Sequence, residues 1–369
     1  MGNATLFLTL RIFSATGGIE KVSRVAGKAL YELTKEEGAA LNILSMYDGL
    51  GQVDEKYFPA NIFKGFNQNK RRFVKTSILQ GIHCKQVILS HSNLLLAGFI
   101  IKILSPKTRL ILLAHGIEVW GRYPYWKKYM LRKCDLVLAV SNYTRATMMA
   151  VHGLDGKNIK VLNNCLDPFL QEPASEESKG ALRARYGLSQ HNMVLLTITR
   201  LSSKEQYKGY DNVLYAIKQL KQKYPLIKYL LVGKYDAVEK QRVDAIIHEL
   251  DIKDNIIFTG FIPDEELAAH YNIADIYIMP SKKEGFGIVF IEAMYFGKPV
   301  IAGNIDGSVD ALDNGRFGLL INPNDQQEIS GAIIKVLTNK AAYIPNRNEV
   351  MDKFSYEVYK AKLAEMLLC

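Results

Sequence analysis

Residues 280–303 read PSKKEGFGIVFIEAMYFGKPVIAG, and they hold a turn, a helix and the start of a strand in direct succession. The apolar run Ile276–Met279 precedes them and breaks into a basic, glycine-containing turn, Ser281–Gly287. Apolar residues at helical spacing then run from about Ile288 to Tyr295. Phe296-Gly297-Lys298-Pro299 stops that helix ahead of a second apolar run, Pro299–Ala302. Two short, non-alternating apolar runs joined by a helix read as parallel strands of a sheet covered on both faces. Gly285 and Gly287 let the backbone approach a ligand closely, and free N–H groups at the helix start favour a phosphate.

The same rhythm extends through the chain. Strand-like runs are Thr5–Phe13, Leu41–Met46, Gln86–Ser90, Arg109–Ala114, Leu136–Val140 and Ile159–Leu162 in the first half. In the second half they are Met193–Thr199, Lys228–Val232, Ile256–Thr259, Ile276–Met279, Pro299–Ala302 and Gly318–Ile321. Helical stretches separate them, so the pattern predicts an α/β chain with two doubly wound parallel-sheet domains. Pro, Ser and Glu cluster in DPFLQEPASEESKG, residues 167–180, where periodicity is lost. The expected division is 1–168, a linker 169–183, and 184–354. A last helical segment, 355–369, is free by its spacing alone to pack on either domain.

At 369 residues the chain suits two such domains, and 48% hydrophobic with 23% charged residues excludes disordered and fibrous classes. The charge is unevenly placed. Residues 1–168 carry 23 Lys/Arg against 11 Asp/Glu, whereas residues 169–369 carry 24 against 26. An anionic partner for the first half is the natural reading. Cys84, Cys134, Cys165 and Cys369 have neither CxxC spacing nor a zinc-like histidine partner, which fits a reducing compartment and no structural metal. The early apolar stretch lacks a basic n-region and a cleavage site, and it reads as a buried first strand. The apolar stretch Leu94–Leu104 is too short to span a bilayer.

Three groups of residues have chemical potential. Glu284 stands in the turn and Glu292 eight residues on in the helix, a spacing that brackets a ligand anionic in its middle and rich in hydroxyls at its ends. The alternative is an ordinary turn acid and a solvated helix glutamate. Arg200 and Lys208, in TRLSSKEQYKGYD (199–211), flank a strand-to-helix loop and suit a departing diphosphate, though a solvated basic loop would look the same. Thr16-Gly17-Gly18 and Ala114-His115-Gly116 both follow strands. Ligands gather at such carboxyl ends, and the competing reading of His115 is core packing.

Taken in order, TGGIEK, HGIEVW, VSNYTR, VLNNCLD, TRLSSKEQYKGYD, EGFGIVFIE and GKPVIAGNIDGSVDAL resemble the retaining nucleotide-sugar glycosyltransferases of sequence family four, with the GT-B fold and a Glu-x7-Glu motif. The resemblance covers nearly the whole chain. It implies two Rossmann-like domains facing across a cleft, the N-terminal one binding the acceptor, and a final helix, 355–369, returning to that domain. It further implies that Glu284 contacts the donor sugar with the N–H groups of Gly285, Phe286 and Gly287, and that Glu292 holds the ribose. Arg200 and Lys208 would stabilise the leaving diphosphate without a metal or other cofactor, and His115 would position the sugar. Gly17 and Gly18 would approach the donor phosphates, and the base would lie between the Gly233 turn and the Gly260-Phe261-Ile262 loop. Lys234-Tyr235 after Gly233, and Asp310 where relatives more often have Glu, depart from the pattern.

Two basic segments with interleaved aromatics stand out in the first half. Phe63–Lys75 carries Lys64, Lys70, Arg71, Arg72 and Lys75, and Arg122–Lys133 carries Arg122, Trp126, Lys127 and Lys128. Such stretches suit an anionic bilayer, a solvated face being the plain alternative. No RNA-binding signature accompanies them, so nucleic acid is not expected. The combined expectation is a retaining, metal-independent hexosyltransferase. It would use a UDP- or GDP-linked sugar and a lipid-linked or oligosaccharide acceptor in surface polysaccharide or glycolipid synthesis. Its place would be the cytoplasm or the inner face of the cytoplasmic membrane. The alternatives are a sugar-nucleotide 2-epimerase of the same fold and a non-catalytic basic binding protein.

Overall fold

Each of the twelve apolar runs contains a strand in the computed structural model, which describes residues 3–49, 51–173 and 175–368. In chain order the strands are β1 Ala4–Thr9, β2 Ala40–Ser45, β3 Phe63–Gly65, β4 Gln86–Leu89, β5 Arg109–Ala114, β6 Leu136–Ala139 and β7 Ile159–Val161. They continue with β8 Met193–Ile198, β9 Ile227–Val232, β10 Ile256–Gly260, β11 Ile276–Met279, β12 Val300–Gly303 and β13 Leu319–Ile321. All pairings are parallel, in the orders β3-β2-β1-β4-β5-β6-β7 and β10-β9-β8-β11-β12-β13. Strand order reverses between β1 and β4 in one sheet and between β8 and β11 in the other. A doubly wound sheet opens a ligand crevice at the carboxyl ends of such a switch point.

The chain divides into two units, Met1–Pro168 with Tyr356–Cys369, and Phe169–Ser355. The central strands are apolar and wholly buried, for example Leu6, Phe7 and Leu8 of β1 and Leu195 and Leu196 of β8. Helices cover both faces, as the continuous runs require. The helix Tyr356–Leu368 closes the first unit. Its Tyr359 and Leu363 join the core beside Leu30 and Cys165, and the Tyr356 hydroxyl donates to Glu32 at 2.7 Å. Cys369, the last residue of the expected helix 355–369, lies outside the described residues. No described helix is long and apolar enough to cross a membrane.

The structure differs from the sequence reading in two places. Residues 176–183, expected within an irregular linker, belong to the helix Glu176–Arg185, started by the Ser175 side chain accepting from the Ser178 N–H. Leu182 is buried, and Arg183 donates to the carbonyls of Ser189 and Ile273, so this helix belongs to the second unit. In the first basic segment, Phe63–Gly65 is strand β3, and Phe66 and Phe73 are core residues. The aromatics of that segment are therefore inside, and only its cations face solvent.

The turn after β1 is shaped by a residue that no pattern announced. Asp48 is fully buried and accepts from the backbone N–H groups of Ile12 (2.7 Å), Phe13 (3.2 Å) and Ser14 (2.7 Å), and from the Ser45 hydroxyl (2.5 Å). One carboxylate thus satisfies three consecutive donors that would otherwise be orphaned. Replacing it by alanine leaves them without acceptors, at about 1–3 kcal/mol for each one buried. Asp48→Ala is expected to lower the melting temperature of the first unit by roughly 6 °C or more in calorimetry. An unchanged melting temperature would refute this role.

Candidate functional site

The switch point of the second sheet gathers the strongest chemistry. The turn Gln206–Lys208 leads into the helix Tyr210–Leu220 through Gly209, and the loop after β11 leads into the helix Ile288–Tyr295 through Gly287. The two loops touch through backbone. A Cβ on Gly209, which has φ of 75°, would lie 2.1 Å from the Pro280 carbonyl oxygen, and the Lys282 N–H donates to the Tyr207 carbonyl at 2.8 Å. On the other side the loop after β12 presses equally closely, because a Cβ on Gly307 would lie 2.0 Å from the Gly285 oxygen. Only glycine fits at these two positions.

This clasp brings Lys208 and Glu284 together. The Lys208 ammonium donates to Glu284 Oε2 at 2.5 Å, and the two side chains are only 17% and 16% exposed. Burial would lower the lysine pKa, but the adjoining Glu284 carboxylate outweighs it and leaves it raised. Lys208 is therefore a fixed cation. No side chain caps the helix Ile288–Tyr295, which begins directly from this loop, and its Phe290 N–H turns back to the Gly287 carbonyl at 3.0 Å. Gly285, Phe286 and Gly287 line this approach with backbone, while the Phe286 ring is buried against Phe354.

Glu292 is not a solvated helix residue. It is 1% exposed and accepts from the Tyr271 hydroxyl at 2.9 Å. Burial, with Glu292 adding to it, raises the Tyr271 phenol well above its ordinary value, so that phenol stays a donor. Arg200 is held by an acid of its own loop. Its side chain is 65% exposed and pairs with Glu205 at 2.8 Å, and both Arg200 and Lys208 act on the Tyr207 phenol between them in sequence. Gly233 donates to the Gly260 carbonyl at 2.9 Å, which joins the two loops expected around a base. Lys234 lies over the exposed Phe261 ring at 4.6 Å, with Ile262 half-buried next in sequence.

In the first unit, Gly17 starts the helix Gly18–Glu36 without a side-chain cap, directly after the turn held by Asp48. His115 follows β5. Its Nε2 donates to the Ser90 carbonyl at 2.8 Å, and its buried Nδ1 has no partner among the described residues. Its backbone N–H donates to Glu118 at 2.6 Å. Lys64, Lys70, Arg71, Arg72, Lys75, Arg122 and Trp126 are exposed. Lys127 is half-buried, with its ammonium over the Tyr123 ring at 4.1 Å. Lys128 is half-buried. Among the described residues no group of three or more His, Cys, Asp or Glu is arranged to hold a metal ion.

Sequence reasoning missed Asp306. This residue, 1% exposed, accepts from the N–H groups of Glu284 (2.7 Å) and Ser308 (2.9 Å) and so sets the height of the Glu284 loop. The Asp306-Gly307 pair directly after a strand-like run was the available signal. Burial raises its carboxyl to about 6 despite those hydrogen bonds. A carboxyl raised from its ordinary value of 3.8 binds its proton more tightly folded than unfolded, so its contribution to stability falls as pH rises from about 4 to about 6. Asp306→Asn lacks this titration. Relative to the wild type, the variant should gain about 2 kcal/mol between pH 4 and pH 7 in denaturant titrations. A pH-independent difference would rule this out.

Residues 178–358 match the model "Glycosyl transferases group 1", and residues 65–168 match "Glycosyltransferase Family 4". A GDP-mannose-dependent alpha-(1-6)-phosphatidylinositol monomannoside mannosyltransferase of Mycobacterium tuberculosis is 28% identical over 281 residues, 72% of this chain and 70% of that protein. Among solved structures, Anabaena HepE (Alr3699) in complex with UDP and glucose superposes with a TM-score of 0.82 at 20% identity, covering 99% of each chain. A glycosyltransferase from Rickettsia africae gives 0.79 at 20% identity, covering 99% of this chain and 98% of that one. With residues 65–168 and 178–358 both matching glycosyltransferase models, the chain belongs to the glycosyltransferases of family 4, with the GT-B fold.

Proposed function

We propose that this glycosyltransferase moves a hexose from a UDP- or GDP-linked donor to a lipid-linked glycan acceptor, with retention of configuration and without a metal. The observation that carries the reading is the half-buried Lys208–Glu284 pair beside an uncapped helix start. A donor diphosphate entering there would take Lys208 and the free N–H groups as partners. Glu284 would be released to accept from the sugar hydroxyls, and Glu292 would meet the ribose. In the reaction, the bond from the anomeric carbon to the phosphate oxygen breaks while the acceptor oxygen bonds to that carbon on the same face. The acceptor hydroxyl's proton passes to the departing phosphate. Lys208 stabilises the charge that develops on the diphosphate. Arg200 would have to leave Glu205 to assist. The GDP-mannose and phosphatidylinositol substrates in the name of the mycobacterial relative favour a membrane acceptor.

The exposed face of the first unit supports the same reading. Residues 64–134 contain 14 Lys/Arg and one acidic residue, Glu118. The helix Leu95–Leu104 exposes Leu96, Ile103 and Leu104, and its Phe99 meets Tyr129 of the helix Tyr125–Leu131, which exposes Tyr125 and Trp126. Aliphatic and aromatic side chains among cations suit the interface of an anionic bilayer.

Two measurements test the proposal. UDP or GDP at 100 times its dissociation constant should stabilise the protein by about 2.7 kcal/mol, a shift of roughly 5–10 °C, and Lys208→Ala should remove that shift while lowering kcat about 10²–10³-fold. No shift with either diphosphate would sink the donor site. In vesicle co-sedimentation, the double variant Ile103→Ser/Trp126→Ser should bind phosphatidylglycerol vesicles at least about tenfold more weakly. Equal binding would exclude this face as the membrane contact.

A further inference from the structure

The switch point of the first sheet holds a second cluster, made from three separate elements. His91 follows β4, where the strand order reverses, His115 follows β5, and Lys127 comes from the helix Tyr125–Leu131. The Lys127 ammonium lies 3.3 Å from Asn93 Oδ1 and 3.5 Å from Ser92 Oγ, over the Tyr123 face. Among the described residues no carboxylate lies within ion-pair distance of it. The nearby acid, Glu118, is already bound to the His115 backbone N–H. His91 Nδ1 accepts from the Asn93 N–H at 3.0 Å, so its neutral ring carries the proton on Nε2 as a further donor.

These groups are mutually unfavourable. Burial, then His115, then Lys127 push the His91 ring down to about 4, and burial lowers the Lys127 pKa as well. Glu118, the acid near this cluster, favours the Lys127 ammonium from a distance but is engaged by the His115 N–H, which leaves the ammonium open to a bound anion. The Asn93 contact is solvent-exposed, so a ligand can reach the lysine without unfolding the loop. A compact anion with several acceptor oxygens fits one ammonium, one amide, one hydroxyl and one imidazole N–H better than a single carboxylate does.

We propose that Lys127, Ser92, Asn93 and His91 bind a phosphate group, monoester or diester, carried by the acceptor. The assignment to the acceptor rests on the transferase reading, while the phosphate site itself does not. The tyrosine face restricts the lysine to one direction, and the two loops supply the remaining hydrogen bonds. Lys127 is in this view a binding residue, and its loss affects acceptor affinity before turnover.

The test uses the full-length chain with Lys208→Gln, so that phosphate cannot report from the donor site. Its seven histidines are labelled in the ring and followed by NMR during titration with inorganic phosphate, sn-glycerol 3-phosphate and phosphatidylinositol vesicles, with phosphatidylcholine vesicles as the blank. Phosphate should move the His91 resonance. Lys127→Gln should weaken binding roughly tenfold to a hundredfold, as for loss of a charge-assisted hydrogen bond, and Asn93→Ala should weaken it less. Lys157→Gln, an exposed lysine elsewhere on the unit, should change nothing. Tighter binding of phosphatidylinositol than of glycerol 3-phosphate assigns the group to a lipid headgroup, and the reverse order to a soluble sugar phosphate. Titrations that leave His91 unmoved, or affinities equal in the wild type and Lys127→Gln, would overturn the proposal. Diphosphate-induced stabilisation of the second unit, measured with Lys208 intact, reports independently on the donor reading.

Discussion

Backbone pressed against backbone is the constraint on which the proposed donor site depends. The loop 280–287 is held between the turn at Gly209 and the turn at Gly307, with no room for a Cβ on either side. Packing at that distance removes the freedom a glycine-containing loop would otherwise have, and it fixes Glu284 against Lys208. The charge pair is thus a product of the clasp. An exposed lysine and glutamate would contribute little, whereas this pair, largely shielded from water, is poised to exchange one anion for another.

Both sheets solve one local problem in the same way. A strand that ends in a sharp turn leaves the N–H groups of that turn in need of an acceptor. Asp48 supplies it after β1, and Asp306 supplies it for the loop after β11. Neither aspartate has to touch substrate to matter. Each holds a glycine-bearing loop at one height, so that binding does not have to order it.

The sequence revealed strands and lost the turns. Continuous apolar runs are visible because a strand buried on both faces tolerates nothing else, and the helix Ile288–Tyr295 was bounded correctly by its glycines. β3 escaped notice because three residues among lysines carry no periodicity, and the helix Glu176–Arg185 because Ser, Glu and Lys on its solvent side resemble a linker. Glu284, Glu292 and Lys208 were legible from spacing and charge. Asp48 and Asp306 were not, since accepting backbone N–H groups leaves no mark in side-chain pattern. The placement of Lys127 was equally hidden, because it depends on Tyr123 and Asn93 arriving from different elements.

The helix Tyr356–Leu368 belongs to the first unit, yet it follows the whole of the second in the chain. During synthesis, the groove that receives Tyr359 and Leu363 is complete long before those side chains leave the ribosome. Leu30, Cys165 and their neighbours then present uncovered apolar surface to the cell while some 190 residues are still being added. The first unit is the earlier to begin folding and the later to finish. Its aggregation risk is therefore governed by the speed of translation through the second unit, a quantity that no contact within the finished fold records.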